Sequence, residues 1–181
     1  QGWTFSPAEF AQAIYKVLKE EKIVDRSEVQ AFDFRCLQEL RKLDSKIHLA
    51  YLTEADNEED GPTNFRHPDP KVAGLWTAGN LLKDYDNSIP KMIKALAGSN
   101  PACWEPEDLQ LKKETLDEAH QLGLKVVVWT WPEHAGTTFD YKLIDKLIDW
   151  GVDGIITDDP GHLTSMLAAR GYEVPLRFIL D

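Results

Sequence analysis

Apolar positions along this chain alternate between two rhythms, a helical spacing of three to four residues and short unbroken runs rich in β-branched side chains. Ser6-Pro7-Ala8-Glu9 reads as a capping box with proline at the first helical position. After it, Phe10, Ile14, Val17 and Leu18 predict one apolar helical stripe. Residues 28–33 read as a strand, and Asp33 can cap a second helix with Leu37, Leu40 and Leu43 on its inner face. Residues 47–53 form a second strand pattern. A helix is expected over 89–97, a short segment at 102–104, and a helix ending at 120–122 with Gly123 in a left-handed cap. Residues 125–131 (KVVVWTW) give a strand that ends in two tryptophans. Thr138 can cap the following helix, whose inward positions are Phe139, Leu143, Ile144, Leu147 and Ile148 and whose stop is Gly151. A last strand is expected at 154–157 and a last helix at 160–169. The stretch 54–88, acidic at its start and broken by Pro, Asn and Gly, reads as a long loop insertion.

Strands interleaved with amphipathic helices imply crossover connections and a parallel α/β sheet in a single domain over 1–181. The runs at 125–130 and 153–158 are nearly continuous apolar segments, as parallel strands buried on both faces require. Ligands in this architecture gather at the C-terminal strand ends. Those ends carry Phe32-Asp33, Thr53-Glu54, Trp104-Glu105, Trp129 to Trp131 and Thr157-Asp158, a rim of aromatics and carboxylates.

Composition narrows the partners. The 181 residues carry a formal net charge of −11, which argues against a nucleic-acid groove, because such grooves neutralise phosphates with Lys and Arg. It also disfavours anionic membrane surfaces. No apolar stretch approaches the roughly 18 residues of a membrane span, so none is expected. Residues 1–4 lack the basic and apolar regions of a signal peptide, so any leader is expected to have been removed or never to have existed. Cys36 and Cys103 belong to no CxxC or His-rich cluster, and both are expected to be core thiols.

Several candidate sites have plainer readings beside them. Asp56-Asn57-Glu58-Glu59-Asp60-Gly61 begins like a calcium loop, yet the twelfth position, which needs a bidentate Glu, is His67. A solvated acidic loop is the expectation. His48, His67, His120, His134 and His162 form no ligand spacing; His48 and His120 read as structural, and His134 stands beside the Trp-rich strand end. Asp158-Asp159-Pro160 offers paired carboxylates, but one Asp capping the next helix explains it more simply. Trp129 and Trp131 share one side of their strand by alternation, which favours a ligand wall and core packing about equally.

Three segments together resemble the C-terminal half of the glycerophosphodiester phosphodiesterases: 29–53 (VQAFDFRCLQELRKLDSKIHLAYLT), 113–131 (KETLDEAHQLGLKVVVWTW) and 147–163 (LIDWGVDGIITDDPGHL). That resemblance implies the latter part of a TIM-like (β/α)8 barrel and hydrolysis of glycerophosphodiesters to an alcohol and glycerol 3-phosphate. It implies in-line attack at phosphorus with a histidine acid–base pair and a divalent metal, Mg2+ or Ca2+. The family's His-Arg-Gly segment, later His-Asp pair, Glu-x-Asp pair and Glu-x-Lys segment all precede the strand that corresponds here to Gln30-Ala31-Phe32-Asp33. The resemblance carries none of them onto this chain, so it assigns no catalytic residue and no metal ligand. A full barrel needs roughly 250 residues, which agrees with a latter portion only.

At matching positions the resemblance assigns Trp129 to the substrate-pocket wall and Phe32 to the same barrel mouth. Trp131 departs from the family pattern and stays open between wall and packing. The expected partners are the substrate and the missing N-terminal half of the barrel, and the isolated chain is expected to be inactive. The rival reading is a non-catalytic half-barrel that binds a ligand or closes its sheet as a homodimer. Turnover by the chain itself would need a site at Asp158, Glu133 and His134. Compartment is left open, since the family has cytoplasmic and exported members.

Overall fold

The computed structural model describes residues 4–55, 65–131 and 139–175. Helices and strands alternate: α1 (Pro7–Glu20), β1 (Glu28–Ala31), α2 (Phe34–Leu43), β2 (His48–Thr53), α3 (Pro70–Ala73), α4 (Ile89–Ala97), β3 (Ala102–Pro106), α5 (Lys113–Gln121), β4 (Lys125–Trp129), α6 (Tyr141–Trp150), β5 (Gly154–Ile156) and α7 (Pro160–Ala169). The five strands form one sheet in chain order, and every neighbouring pair is parallel. A doubly wound sheet reverses direction at a switch point. Here each crossover advances by one strand, which lays the connecting helices on one face and curls the sheet into part of a barrel.

Register separates the two faces. Val29, Leu49, Tyr51, Trp104, Val126, Val128 and Ile155 face the helices, and most are fully buried there. They pack with Phe34, Leu37 and Leu40 of α2, Met92 and Ile93 of α4, Leu116 and Ala119 of α5, and Leu147 of α6. Phe34 sets its ring edge-on to Tyr51 at 4.9 Å between centroids, a geometry aromatic quadrupoles favour. The concave face carries Glu28, Gln30, His48, Ala50, Leu52, Cys103, Glu105, Val127, Trp129, Gly154 and Ile156.

The start and stop chemistry follows the sequence closely. Ser6 accepts from the Glu9 backbone N–H, and the Glu9 carboxylate accepts from the Ser6 N–H, completing the capping box. Asp33 caps α2 and also receives a two-pronged contact from the Arg35 guanidinium. Gly123 (φ 74°) and Gly151 (φ 84°) take the left-handed conformation that ends α5 and α6 at little steric cost. Arg41 joins three segments by donating to the carbonyls of Ser45, Ile47 and Pro101 at 2.6–2.8 Å.

Five expectations need correction. The inner face of α1 is Ala11, Ile14, Tyr15 and Leu18, whereas Phe10 and Val17 are exposed; the small Ala11 lets α1 lie close against the core, rotating the stripe. On α2 the buried residue beyond Leu37 and Leu40 is Phe34, and Leu43 at the last turn is exposed. The described part of the 54–88 insertion is folded rather than loop throughout. It contains α3 and a 3-10 turn at Leu82–Tyr85, buries Phe65, Ala73 and Leu82, and returns the Trp76 carbonyl to the Phe34 N–H at 2.8 Å. Helix α6 is capped by Asp140, whose carboxylate accepts from Lys142 and Leu143 N–H groups; Thr138 lies outside the described residues, and Phe139 precedes the helix. Strands β1, β4 and β5 end one or two residues earlier than the apolar runs suggested.

Candidate functional site

The C-terminal strand ends lie side by side because the strands are parallel and in consecutive order. Trp129, the last residue of β4, reaches across this rim. Its indole N–H lies 3.2 Å from both the Thr53 carbonyl on β2 and the Glu105 carbonyl on β3, a shared donation over two neighbouring strands. Phe32, just after β1, meets the indole edge-on at 5.9 Å and 89°. The structure thus brings the two predicted wall residues together from strands three apart. Trp131 adds a tilted ring at 6.3 Å from Trp129 and is 47 % exposed, so it extends the aromatic surface outward instead of filling the core. Trp129 and Phe32 are each half-buried, with area left for a ligand.

A polar lattice fixes the strand ends beneath this wall. The fully buried Thr53 hydroxyl accepts from the Trp104 indole at 2.8 Å and donates to Gln110, whose amide N–H in turn donates to the Glu54 carbonyl. The Glu107 carboxylate accepts from the Ala55 N–H at 2.8 Å, and the Asp108 N–H donates to the Trp129 carbonyl. Glu105, Glu107 and Asp108 are all buried. Burial, reinforced by the nearby Glu28 charge, pushes the Glu105 carboxyl up to about 7. Glu107, Asp108 and Gln110 lie beyond the rim expected from the sequence, which ends on this strand at Trp104-Glu105. The alternation Cys103, Glu105, Glu107 along an otherwise apolar strand was the available signal.

The other candidates separate. Asp159 caps α7 through the His162 N–H and also pairs with the His162 ring, which is the simpler reading of the Asp pair, while Asp158 is exposed. His120 pairs with Asp153 at 3.0 Å on the outer face, and His67 accepts from the Asp69 N–H. Cys103 is buried as expected, Cys36 only partly. Glu133, His134 and the acidic loop at 56–61 lie outside the described residues. A cleft of about 410 Å3, lined by Ser88, Pro90, Trp104, Gln110, Thr115 and Glu118 among others, opens between α4 and α5, separate from the aromatic wall.

Among the described residues, one group of possible metal ligands converges: Glu28, Cys103 and Glu105 offer donor atoms within 4.8 Å of one another. Mg2+ and Ca2+ require roughly six or more oxygen donors. Two carboxylates and a thiol are a poor match to either ion, so the hard divalent cation implied by the family resemblance does not fit these residues. Among the described residues no helix is long and apolar enough to cross a membrane.

Comparison with known proteins now adds a family. The model of the glycerophosphoryl diester phosphodiesterase family matches residues 7–162. Solved structures are similar too. A proposed glycerophosphoryl diester phosphodiesterase from Silicibacter pomeroyi is 27 % identical with a TM-score of 0.65, covering 92 % of this chain and 46 % of that one. A glycerophosphodiester phosphodiesterase from Parabacteroides distasonis is 22 % identical with a TM-score of 0.62, covering 93 % of this chain and 55 % of that one, and shares the fold. The chain therefore spans about half the length of the solved structures it matches. No curated protein sequence gives a significant match. With the family model covering most of the chain and the half-barrel geometry in agreement, this chain belongs to the glycerophosphoryl diester phosphodiesterase family.

Proposed function

We propose that this chain is the C-terminal part of a barrel that hydrolyses glycerophosphodiesters to an alcohol and glycerol 3-phosphate, and that it supplies the pocket wall. The observation that carries this reading is the Trp129 indole, held across the strand ends by two carbonyls and met edge-on by Phe32. Such a wall offers apolar area to the carbon skeleton of a glycerol or alcohol moiety and fixes its orientation. The rim beneath it carries Glu54, Glu107 and Asp108, which repel a phosphodiester anion. Charge neutralisation and the histidine acid–base pair implied by the resemblance come, in this reading, from the part of the barrel that completes the sheet. In a protein carrying the whole barrel, Trp129→Ala raises KM for glycerophosphocholine by roughly tenfold or more, since one well-placed apolar contact is worth about 1–3 kcal/mol. An unchanged KM removes Trp129 from the wall.

A second reading, a non-catalytic half-barrel closed by a second copy, is favoured by the sheet edges. Among the described residues β1 and β5 pair on one side only, and unpaired parallel edges recruit partners. Sedimentation of the purified chain separates the two, because a stable homodimer of the chain by itself supports this second reading.

A further inference from the structure

We propose that Glu28, Cys103 and Glu105 form a binding site for a thiophilic divalent cation of the Zn2+ class on the concave face of the sheet. Three observations converge. First, the donor atoms lie within 4.8 Å of one another although β1 and β3 are separated by β2. Flat-sheet spacing would put these strands roughly 9–10 Å apart. The curl of the sheet and the long Glu28 side chain close that gap, and Ala50 on the intervening strand offers only a methyl group. Second, Glu105 is 4 % exposed, and its Oε2 has no hydrogen-bond partner among the described residues. A buried carboxylate oxygen without a donor is costly, and a cation at the convergence point would satisfy it. Third, one thiol and two carboxylates match a borderline-soft ion that accepts S and O donors in tetrahedral sites, with the fourth position open to water.

The site lies below the aromatic wall, at the first residue of β1 and the second and fourth of β3. Its residues belong to none of the family segments to which the resemblance assigns the hydrolytic metal. Loading forms a metal–sulfur bond. The Cys103 thiol, which burial keeps protonated, releases its proton to solvent, and no redox change is involved.

The test is titration of the purified chain with Zn2+, and with Co2+ as a spectroscopic probe. Direct metal analysis gives the stoichiometry, and thiolate-to-cobalt charge transfer reports the sulfur ligand. The expected result is one ion per chain with a charge-transfer band, retained in Cys36→Ser and in excess Mg2+. Cys103→Ser abolishes the band, and Glu28→Gln weakens binding by at least the roughly 10- to 100-fold that even outer-shell changes cause. Glu28 is exposed, so its variant tests the site without disturbing the core. Absence of a bound ion, a band that disappears with Cys36→Ser, affinity unchanged in Glu28→Gln, or displacement by Mg2+ overturns the proposal.

Discussion

Replacing Glu105 by Gln tests the electrostatics of the concave face, because the two side chains are nearly isosteric and only one ionises. In the folded chain the carboxyl is raised from its usual 4.5 to about 7 by burial and then by the Glu28 charge. The folded state therefore holds this proton more tightly than the unfolded state does. Between about pH 4.5 and 7 the native chain binds more protons, so stability falls as pH rises through that window and is flat above it. The gap corresponds to about 3 kcal/mol, at 1.36 kcal/mol per pH unit. Urea denaturation in the presence of a chelator, for both proteins at about pH 4.5 and about pH 8, measures it. Cancelling between the two pH values removes the cost of burying the Gln amide and the titration of groups that do not interact with Glu105. The variant should gain about 3 kcal/mol on the wild type between the two conditions. A stability difference constant to within about 0.5 kcal/mol would show that Glu105 ionises like an exposed carboxylate and would refute the reasoning.

Other outcomes follow from the same structure. Arg41→Lys keeps the charge but loses the planar fork that spans Ser45, Ile47 and Pro101; a loss of about 2–3 kcal/mol in urea denaturation is expected. Against burial that would raise it, hydrogen bonds from the Val126 N–H, Lys125 and His120 hold the Asp153 carboxyl below its usual range. Its contribution is complete above its unfolded value and is lost as pH falls through the folded one, so Asp153→Asn should cost about 1–2 kcal/mol near pH 7 and progressively less below about pH 4. Trp129→Phe removes the shared N–H donation together with part of the ring and should cost about 1–2 kcal/mol. Trp129→Ala also removes the rest of the half-buried ring and should cost more than Trp129→Phe, about 2 kcal/mol, below the roughly 3–5 kcal/mol of a fully buried tryptophan. Equal costs for the two would mean that the ring kept by Phe makes no packing contribution.

Much of the fold could be read from the sequence because its signals are local. The Ser6 capping box, the Asp33 cap and the glycines at 123 and 151 act within one turn, and helices α4 and α7 fall where the periodicity put them. Errors arose where a contact between distant segments decided the answer. Phe10 and Val17 share a stripe with Ile14, but close packing at Ala11 chose a different face. The 65–88 segment has little periodicity, yet Phe65 and Leu82 find the core and Trp76 finds the Phe34 N–H. At the site, alternation placed Trp129 and Trp131 together, whereas the meeting of Phe32 with Trp129 required the family resemblance. The convergence of Glu28 with Cys103 and Glu105 depends on sheet curvature across three strands, which spacing along one strand does not encode.

The most direct test of the central claim is 31P NMR of glycerophosphocholine incubated with Mg2+ or Ca2+ and either of two proteins. One is the 181-residue chain; the other is the same chain joined to an N-terminal half-barrel of the family that carries the His-Arg-Gly and Glu-x-Asp segments. Glycerol 3-phosphate is expected only from the completed protein, with a KM raised by Trp129→Ala. Turnover by the 181-residue chain alone, or none by the completed protein, would contradict it.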